Sequence, residues 1–389
     1  MYDLKLTSCK SMDQRIKLMK ETVHVFSSRA YQHDKQASFP FENMKDLIAI
    51  EYTGLTIPQQ YGGMGISLYE MLKHQEIIAK ADGSTALSIG WHMGIMKNLG
   101  ENNIWGIKKY RQLANLVLNN GALINNSATE PATGSPTRGG KPETTAKKTN
   151  NGWKINGRKT FTTMAPMLTH FNVSATIEDT GEVGDFLIQH YLPGVIVEET
   201  WDAIAMRATG SHDLILKDVV IAESDFVNKR TPGKKSPQGW LLHIPACYLG
   251  IAKAAQEVAV NFAKSYSPNS INTTISEIPT VKQKLGEIEL KLVKCTHFLY
   301  SVANKWDKSN SLIRETMQPE LGAVKYEVVN EAIHVIDLAM RIVGARSLSE
   351  KNPLQRYYRD VRAGLHNPPM DDMTLMQLAN QSLQRIKTE

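Results

Sequence analysis

The sequence predicts a multidomain α+β protein with an N-terminal helical domain, a small middle β-barrel or β-sandwich domain, and a C-terminal four-helix bundle. Helical periodicity dominates residues 1–122, β-branched runs separated by Asn-Gly turns dominate residues 123–233, and long amphipathic segments fill residues 234–389. The chain has 389 residues, more than one domain usually holds, so these three ranges are predicted to be separate domains.

The N-terminal domain is predicted to contain several helices joined by short loops. Apolar residues recur among charges over Arg15–Ala30, and a shorter helix is expected over Met44–Tyr52. Ser67, with a glutamate three residues later, has the capping-box pattern and predicts that a helix over Leu68–Ala81 begins there. The next helix, Ser84–Leu99, is rich in small residues, which predicts close packing against another surface.

The middle domain is predicted from turn signals between extended segments. Asn150–Gly152 predicts a hairpin, and Asn156–Gly157 predicts a further turn shortly after it. A plain antiparallel barrel or sandwich with no ligand site would have the same strand pattern. Further short strands are expected at Phe171–Ala175, Phe186–Leu192, Val195–Glu199 and Leu214–Ile221.

The C-terminal domain is predicted from four long amphipathic segments joined by short polar connections. This pattern is typical of a helical bundle. The predicted helices are Leu241–Tyr266, Thr280–Lys305, Pro319–Val343 and Met370–Ile386.

Composition excludes several classes of protein. There is no apolar run of about 18 residues to span a membrane and no N-terminal signal pattern. The cysteines Cys9, Cys247 and Cys295 are few, odd in number and far apart, so we expect no disulfide framework and a cytoplasmic protein. The net charge of +6 is dispersed, which argues against nucleic-acid binding. No metal-ligand spacing is present, so no metal is expected.

Two hydroxyl-rich segments point to a ligand site in the middle domain. The predicted β structure brings Ser127–Ser135 and Thr160–Thr163 towards each other. They offer hydroxyls, backbone N–H groups and the ring of Phe161, which suits a flat polar ligand with an apolar face. The simpler alternative is that the hydroxyls only satisfy turns.

Ordered motifs in this region resemble those of the acyl-CoA dehydrogenase family. Thr129–Ser135 matches the family's T-E-P-x-x-G-S, Thr144–Ala146 its T-x-A, and Gly157–Thr163 its G-x-K-x-[WF]-[IT]-T. Trp201–Ser211 is similar to the family's W-D-x-x-G-M-R-A-T-G-S, with Ala205 where glycine is usual. The resemblance implies a homodimer or homotetramer that binds FAD, or alternatively FMN. It also implies that the enzyme oxidises the CH–CH bond of an acyl-CoA thioester and passes the electrons to an electron acceptor.

The same resemblance implies which residues contact the flavin. Thr129 would lie at the pyrimidine end, Thr163 near N5 and Phe161 against the ring face. Ser135 would meet the cofactor or the pantetheine arm of the substrate. The full set of implied contacts is Asn126, Ala128, Thr129, Ser135, Phe161, Thr162 and Thr163.

The chain departs from the family at the catalytic base and at several contacts with the ligands. Pro368 stands where the family usually carries the glutamate that removes the α-proton, and Trp240 stands where another branch carries it. Leu241 replaces an arginine that would contact CoA. Tyr266 replaces one that would reach a neighbouring subunit's flavin diphosphate, and Arg341–Ala345 replaces the Q-x-x-G-G segment that meets its adenosine.

A second resemblance covers the region where the base is missing. Leu365–Pro368 resembles the L-H-[DN]-P of the reduced-flavin-dependent monooxygenases, a related branch that receives its flavin from a reductase partner. Those enzymes also use a histidine in the N-terminal domain, where His92 lies. The resemblance implies that His366 and His92 are catalytic, because imidazole exchanges protons near neutral pH.

Structural alternatives stay open for these residues. His92 lies in an apolar helix and would, as a core histidine, hydrogen-bond a carbonyl. His366 would shape the turn before the last helix. Asp371, the reserve base for a dehydrogenase, lies in the first turn of that helix, where a carboxylate is favourable whatever the function. A third interpretation is a catalytically silent binding protein that keeps the flavin fold.

Overall fold

A computed structural model of the chain describes residues 4–134, 140–231 and 237–386. Helices precede a β-sheet, and helices follow it, which confirms the predicted fold class. The domain boundaries themselves stay predictions. No helix in the described ranges is long and apolar enough to cross a membrane. One apolar core connects the three parts and includes Met44, Phe171 and Leu249.

The N-terminal part contains six α-helices within its described residues, and one prediction about them is wrong. The single helix expected over Arg15–Ala30 is broken between Val23 and Phe26, and Phe26 begins the second helix fully buried. The β-branched residues Val23 and Val25 lower the helix propensity at the break, and burial of Phe26 stabilises the start of the second helix. The helices are α1 (Met12–Val23), α2 (Phe26–Gln36), α3 (Phe41–Ala49), α4 (Leu68–Ala81), α5 (Gly83–Asn102) and α6 (Gly106–Asn120).

The middle part is one mixed eight-stranded sheet in the residues described. The strand order is β6-β7-β3-β2-β4-β5-β8, and β1 lies beside β4. Strands β1 and β2 both run parallel to β4, and the other pairs are antiparallel. The strands are β1 (Ile124–Ser127), β2 (Thr145–Thr149), β3 (Gly152–Thr162), β4 (His170–Ile177), β5 (Val183–Gln189), β6 (Val195–Glu198), β7 (His212–Ala222) and β8 (Phe226–Lys229).

The two turns predicted in this region have different outcomes. The hairpin is confirmed, since Thr149 pairs with Gly152 across it. The turn at Asn156–Gly157 is wrong, because β3 continues through it with an irregular register against β7. A Cβ atom at Gly157 would collide with Thr144, so this glycine serves the close approach of a neighbouring segment and not a reversal of the chain.

The C-terminal part contains the four predicted long helices and two short ones that the sequence analysis did not predict. Cys9, Cys247 and Cys295 are all unpaired, as expected. The long helices are α7 (His243–Ser265), α8 (Pro279–Lys308), α10 (Gln318–Val343) and α12 (Asp371–Ile386), and the short ones are α9 (Ser311–Thr316) and α11 (Pro353–Asp360).

The small residues of α5 pack against the start of α7, as their composition predicted. A Cβ atom at Gly90 would lie 2.5 Å from Nδ1 of His243, and one at Gly94 would collide with the ring of Trp240. Trp240 and His243 are both buried, and their rings are stacked with centroids 6.0 Å apart. Glycine at these positions therefore lets two domains share one tightly packed boundary.

Candidate functional site

The two hydroxyl-rich segments meet beside the end of β3. The backbone N–H of Thr160 donates to the carbonyl of Thr129 at 2.9 Å. The side-chain amide of Asn125 donates to the carbonyl of Thr163, also at 2.9 Å. The loop after β1 and the end of β3 thus form one surface, which we call the Phe161 platform: residues 126–129 and 160–163.

Hydroxyl groups line this platform, and several are unsatisfied. Thr163 Oγ1 and Ser211 Oγ are 2.9 Å apart, and Ser211 Oγ is 2.8 Å from Thr209 Oγ1. Buried hydroxyls normally have a partner, so each of the unpartnered ones can still form a hydrogen bond with a buried water molecule. Within the described chain, the buried hydroxyls without a hydrogen bond here are those of Ser127, Thr160 and Thr162.

The ring of Phe161 is exposed in the middle of this polar surface. Its side chain is 62% exposed, and its φ of +55° is unusual for a bulky residue. Trp201 meets it edge to face with ring centroids 6.0 Å apart and is itself held by a 3.1 Å hydrogen bond from Nε1 to the carbonyl of Met206. A strained backbone that presents an aromatic ring to solvent suggests a ligand, and hydroxyls beside an apolar face fit a flavin ring.

The remaining predicted cofactor contacts lie on or near the platform. Asn126 is exposed, and its Oδ1 accepts a 2.8 Å hydrogen bond from Asn172. Ala128 and Thr129 are half-buried beside it, and Thr162 is fully buried. The prediction for Ser135 falls outside the described residues.

Two charged motif residues have a role that the sequence analysis missed. Glu130 and Lys159 form an ion pair of 2.6 Å with side chains 1% and 0% exposed. Burial alone would raise the pKa of Glu130, but hydrogen bonds from Lys159 and Thr144 lower this pKa to about 2. The pair ties the loop after β1 to β3 directly behind the platform. The sequence did offer a signal for this ion pair, because Glu130 and Lys159 carry opposite charges in the two motifs that were predicted to meet.

His92 is buried with both ring nitrogens bonded to the backbone. Nδ1 accepts the N–H of Ile124 at 3.2 Å, and Nε2 donates to the carbonyl of Thr53 at 3.1 Å. Burial lowers the pKa of His92 to about 4, so the imidazole is neutral at neutral pH. These bonds position the start of β1, and a catalytic role for His92 would require one of them to open.

His366, unlike His92, lies at the surface. It is exposed and has no side-chain hydrogen bond within the described residues. The next residue, Asn367, accepts a 2.6 Å hydrogen bond at Oδ1 from the hydroxyl of Tyr248 on α7. The backbone at His366 is therefore anchored while its ring nitrogens stay free. Within the described chain, no hydrogen bond or ring contact joins it to His92.

Asp371 is occupied by an ion pair. Its Oδ1 lies 2.9 Å from Nζ of Lys325, and its Oδ2 accepts a 3.1 Å hydrogen bond from Asn330. Lys325 lies on α10 and is almost completely buried. A carboxylate that already pairs with a buried cation has to give up that contact before it can accept a proton from a substrate.

Asp360 connects the turn carrying His366 to the platform. Its Oδ1 accepts a 2.6 Å hydrogen bond from the N–H of Met206, the residue whose carbonyl holds Trp201. Burial raises the pKa of Asp360 to about 7. The adjacent Arg359 forms a two-pronged pair with Asp34 on α2, at 2.5 Å and 3.0 Å. No group of three or more metal-ligating side chains occurs in the described ranges.

Comparison with known proteins identifies the family. Residues 15–102, 126–219 and 242–367 match the N-terminal, middle and C-terminal domains of acyl-CoA dehydrogenase, respectively. The protein named "Putative acyl-CoA dehydrogenase YdbM", from Bacillus subtilis (strain 168), is 51% identical over 360 residues. These residues are 92% of this chain and 94% of that protein.

Solved structures share the fold at lower identity. FMN-bound TdsC from Paenibacillus sp. A11-2 has a TM-score of 0.86 at 21% identity, covering 95% of this chain and 97% of that one. Butyryl-CoA dehydrogenase from Megasphaera elsdenii has a TM-score of 0.82 at 20% identity, covering 97% and 99%. Identities this low show the fold alone, whereas the three matched domains and the 51% identical relative show the family. This chain belongs to the acyl-CoA dehydrogenase family.

Proposed function

We propose that this protein is a flavin-dependent oxidoreductase that holds FAD or FMN on the Phe161 platform. The observation that carries this proposal is the exposed ring of Phe161, held at a φ of +55° beside the hydroxyls of Thr163 and Ser211. Thr129, Thr162 and Thr163 would bond the polar edge of the flavin, and Asn126 and Ala128 would border it. Bound flavin would supply the two-electron redox chemistry of the reaction.

We infer that proton transfer in this reaction relies on His366 and not on a carboxylate. Pro368 and Trp240 occupy the two expected base positions, and Asp371 is paired with Lys325. His366 is the exposed titratable group of this segment, and its backbone is anchored through Asn367. An imidazole whose ring nitrogens make no other bond can donate a proton from one nitrogen and accept a proton at the other, as an acid–base catalyst must.

These features favour oxygenation of a small molecule with flavin that a separate reductase has reduced. Dioxygen would supply one oxygen atom to the substrate and one to water, and the reduced flavin would supply the two electrons. In this proposal, His366 would move the proton, and the platform, with Trp201 edge to face against Phe161, would hold the flavin. The partners are then the substrate, dioxygen and a flavin reductase.

The test is to mix protein and chemically reduced FMN or FAD anaerobically, add oxygen, and follow the flavin absorbance in a stopped-flow instrument. We expect a transient that reduced flavin alone does not show. His366→Ala should change its decay or formation. His297→Ala, at an exposed histidine on α8, is the matched control and should not. If the protein gives the same trace as free flavin, oxygenation is refuted.

A second candidate is dehydrogenation of an acyl-CoA at its CH–CH bond, which the name of the 51% identical relative favours. Asp371 would then have to leave Lys325 to act as the base. Anaerobic addition of acyl-CoAs of several chain lengths should bleach the bound flavin, and Asp371→Asn should stop the bleaching. No bleaching with any chain length contradicts it. A protein that binds flavin but passes neither test is the catalytically silent binding protein.

Two further expectations accompany the proposal. We expect a homodimer or homotetramer, because members of this family share cofactor contacts between subunits, and light scattering of the purified protein measures this directly. We also expect a cytoplasmic protein, which cell fractionation tests.

A further inference from the structure

His212 is a half-buried histidine that holds the backbone on which Trp201 is carried. It is the first residue of β7 and lies opposite Thr162 of the Phe161 platform on β3. Its Nδ1 lies 3.1 Å from the backbone nitrogen of Thr200 and 3.1 Å from that of Trp201. Both backbone groups donate an N–H, so Nδ1 is the acceptor of two hydrogen bonds. The imidazole therefore carries its proton on Nε2 and none on Nδ1.

The ring of Trp201 is held at two points. His212 fixes the backbone from which the side chain starts, and the ring Nε1 donates to the carbonyl of Met206 at 3.1 Å. Between these two points the indole meets the ring of Phe161 edge to face, with centroids 6.0 Å apart. His212 thus acts on the exposed ring of the platform through Trp201, and each contact in this connection is direct.

Two carboxylates act on His212, one from the preceding segment and one from β7. Burial lowers the pKa of His212, and the charges of Glu199 and Asp213 partly oppose this effect. Asp213 is itself paired with Arg158 on β3 at 2.6 Å, and its backbone N–H donates to the hydroxyl of Thr200 at 3.0 Å. The two hydrogen bonds at Nδ1 also favour the neutral imidazole, because a protonated Nδ1 cannot accept them.

We propose that His212 is a positioning residue that holds Trp201 against Phe161, and that it does so only while its imidazole is neutral. Protonation at Nδ1 puts a third donor in front of two backbone N–H groups, so both hydrogen bonds are lost. Trp201 then keeps only its bond to Met206 and can move away from Phe161. The consequence for the cofactor rests on the proposed flavin binding, whereas the hold on Trp201 is a property of the chain alone.

The experiment follows Trp201 in the flavin-free, full-length protein by fluorine NMR of incorporated fluorotryptophan, with the resonance assigned from Trp201→Phe. We expect this resonance to move in one step at a pH below 6.5, the ordinary pKa of histidine, because burial lowers the pKa of His212. His212→Asn offers an amide oxygen that accepts hydrogen bonds but does not titrate, so the resonance should stay at its high-pH position. His212→Ala offers no acceptor, so the resonance should lie at its low-pH position at every pH.

The matched control is His190→Asn, which should leave the step in place. His190 is also half-buried and directly follows β5 of the same sheet, but its Nδ1 donates to the carbonyl of Leu168 at 2.7 Å. Asp360 also reaches Trp201, through Met206, and burial raises its pKa to about 7, so any step that it causes lies higher and persists in His212→Asn. If the unaltered protein shows no step, or if His212→Asn retains every step, the proposal is overturned.

A second measurement extends the test to the cofactor. The dissociation constant of FMN is measured by flavin fluorescence for the unaltered protein and for His212→Asn, always compared at the same pH. Below the step the unaltered protein should bind FMN about 2- to 10-fold more weakly than His212→Asn, the range for one aromatic contact, and above it equally. If Trp201 responds as expected but neither protein binds flavin, the proposed function fails and the role of His212 stands. If flavin binds but Trp201 does not respond, only the role of His212 is overturned.

Discussion

Replacing Lys159 by methionine should destabilise the β-sheet domain far more than removing an exposed lysine from the same sheet. Nζ of Lys159 lies 2.6 Å from Oε1 of Glu130, and both side chains are almost fully inaccessible to water. Methionine fills a similar volume without the charge. The variant therefore leaves a buried carboxylate with no cation beside it.

The expected loss follows from what remains around Glu130. Removing one partner of a buried pair costs about 3–5 kcal/mol. Glu130 keeps hydrogen bonds from the backbone N–H groups of Glu143 and Thr144 and from the hydroxyl of Thr133. These donors offset part of the penalty, so we expect the lower end of the range, about 3 kcal/mol of the free energy of unfolding.

Urea unfolding followed by circular dichroism measures this loss. The matched control is Lys229→Met, because Lys229 pairs with Glu182 at 2.8 Å in the same sheet with side chains 59% and 45% exposed. Removing an exposed pair of this kind costs about 0–1 kcal/mol. Equal losses for Lys159→Met and Lys229→Met would refute the reasoning. The pH supplies a second check: because the pKa of Glu130 is lowered to about 2 from 4.5, its contribution is present above pH 4.5 and disappears as the pH falls towards 2.

Three other predictions use the same unfolding measurements. Burial raises the pKa of Asp360 in the folded protein from 3.8 to about 7, so between these pH values the folded chain keeps a proton that the unfolded chain has lost. The free energy of unfolding should therefore fall as the pH rises from about 4 to about 7. Asp360→Asn should remove this pH dependence, and an unchanged pH dependence would contradict the assignment. Gly90→Ala should destabilise by about 1–3 kcal/mol through overpacking, whereas Gly286→Ala, with nothing within 4 Å, should stabilise by about 0.5–1 kcal/mol. His92→Ala should cost roughly 2 kcal/mol or more, since it leaves a buried N–H and a buried carbonyl unpaired; a smaller loss would show that water replaces both bonds.

The sequence correctly predicted where an element begins when a neighbouring side chain caps it. Helix α4 begins after Ser67 as expected, because the hydroxyl of that serine accepts the N–H of Glu70 at 3.1 Å. The side chain of Glu70, however, does not complete the capping box and pairs with Arg15 on α1. The break between α1 and α2 depends on burial of Phe26 by the rest of the fold. The spacing of apolar residues within one segment does not reveal such a long-range contact.

The same distinction explains the error at Asn156–Gly157. Asn-Gly is a reliable turn signal when the chain alone decides its conformation. Here Thr144 from a neighbouring segment approaches the glycine so closely that only a missing side chain fits. The residue type was therefore selected by a tertiary contact, and the local rule gave a turn where the structure has an irregular strand.

In the candidate site, too, local sequence signals predicted some features, and others depend on contacts between distant segments. The hydroxyls and the ring of the Phe161 platform belong to contiguous motifs, so the sequence predicted their meeting. Asp371 is paired with Lys325 across 46 positions, and a first-turn aspartate in the sequence gives no sign of that partner. This pairing bears directly on the reaction, because a carboxylate held by a buried lysine must break its ion pair before it can accept a proton. Within the described residues His366 has no such bond to break, which is why the proposed function assigns the proton transfer to His366 and not to Asp371.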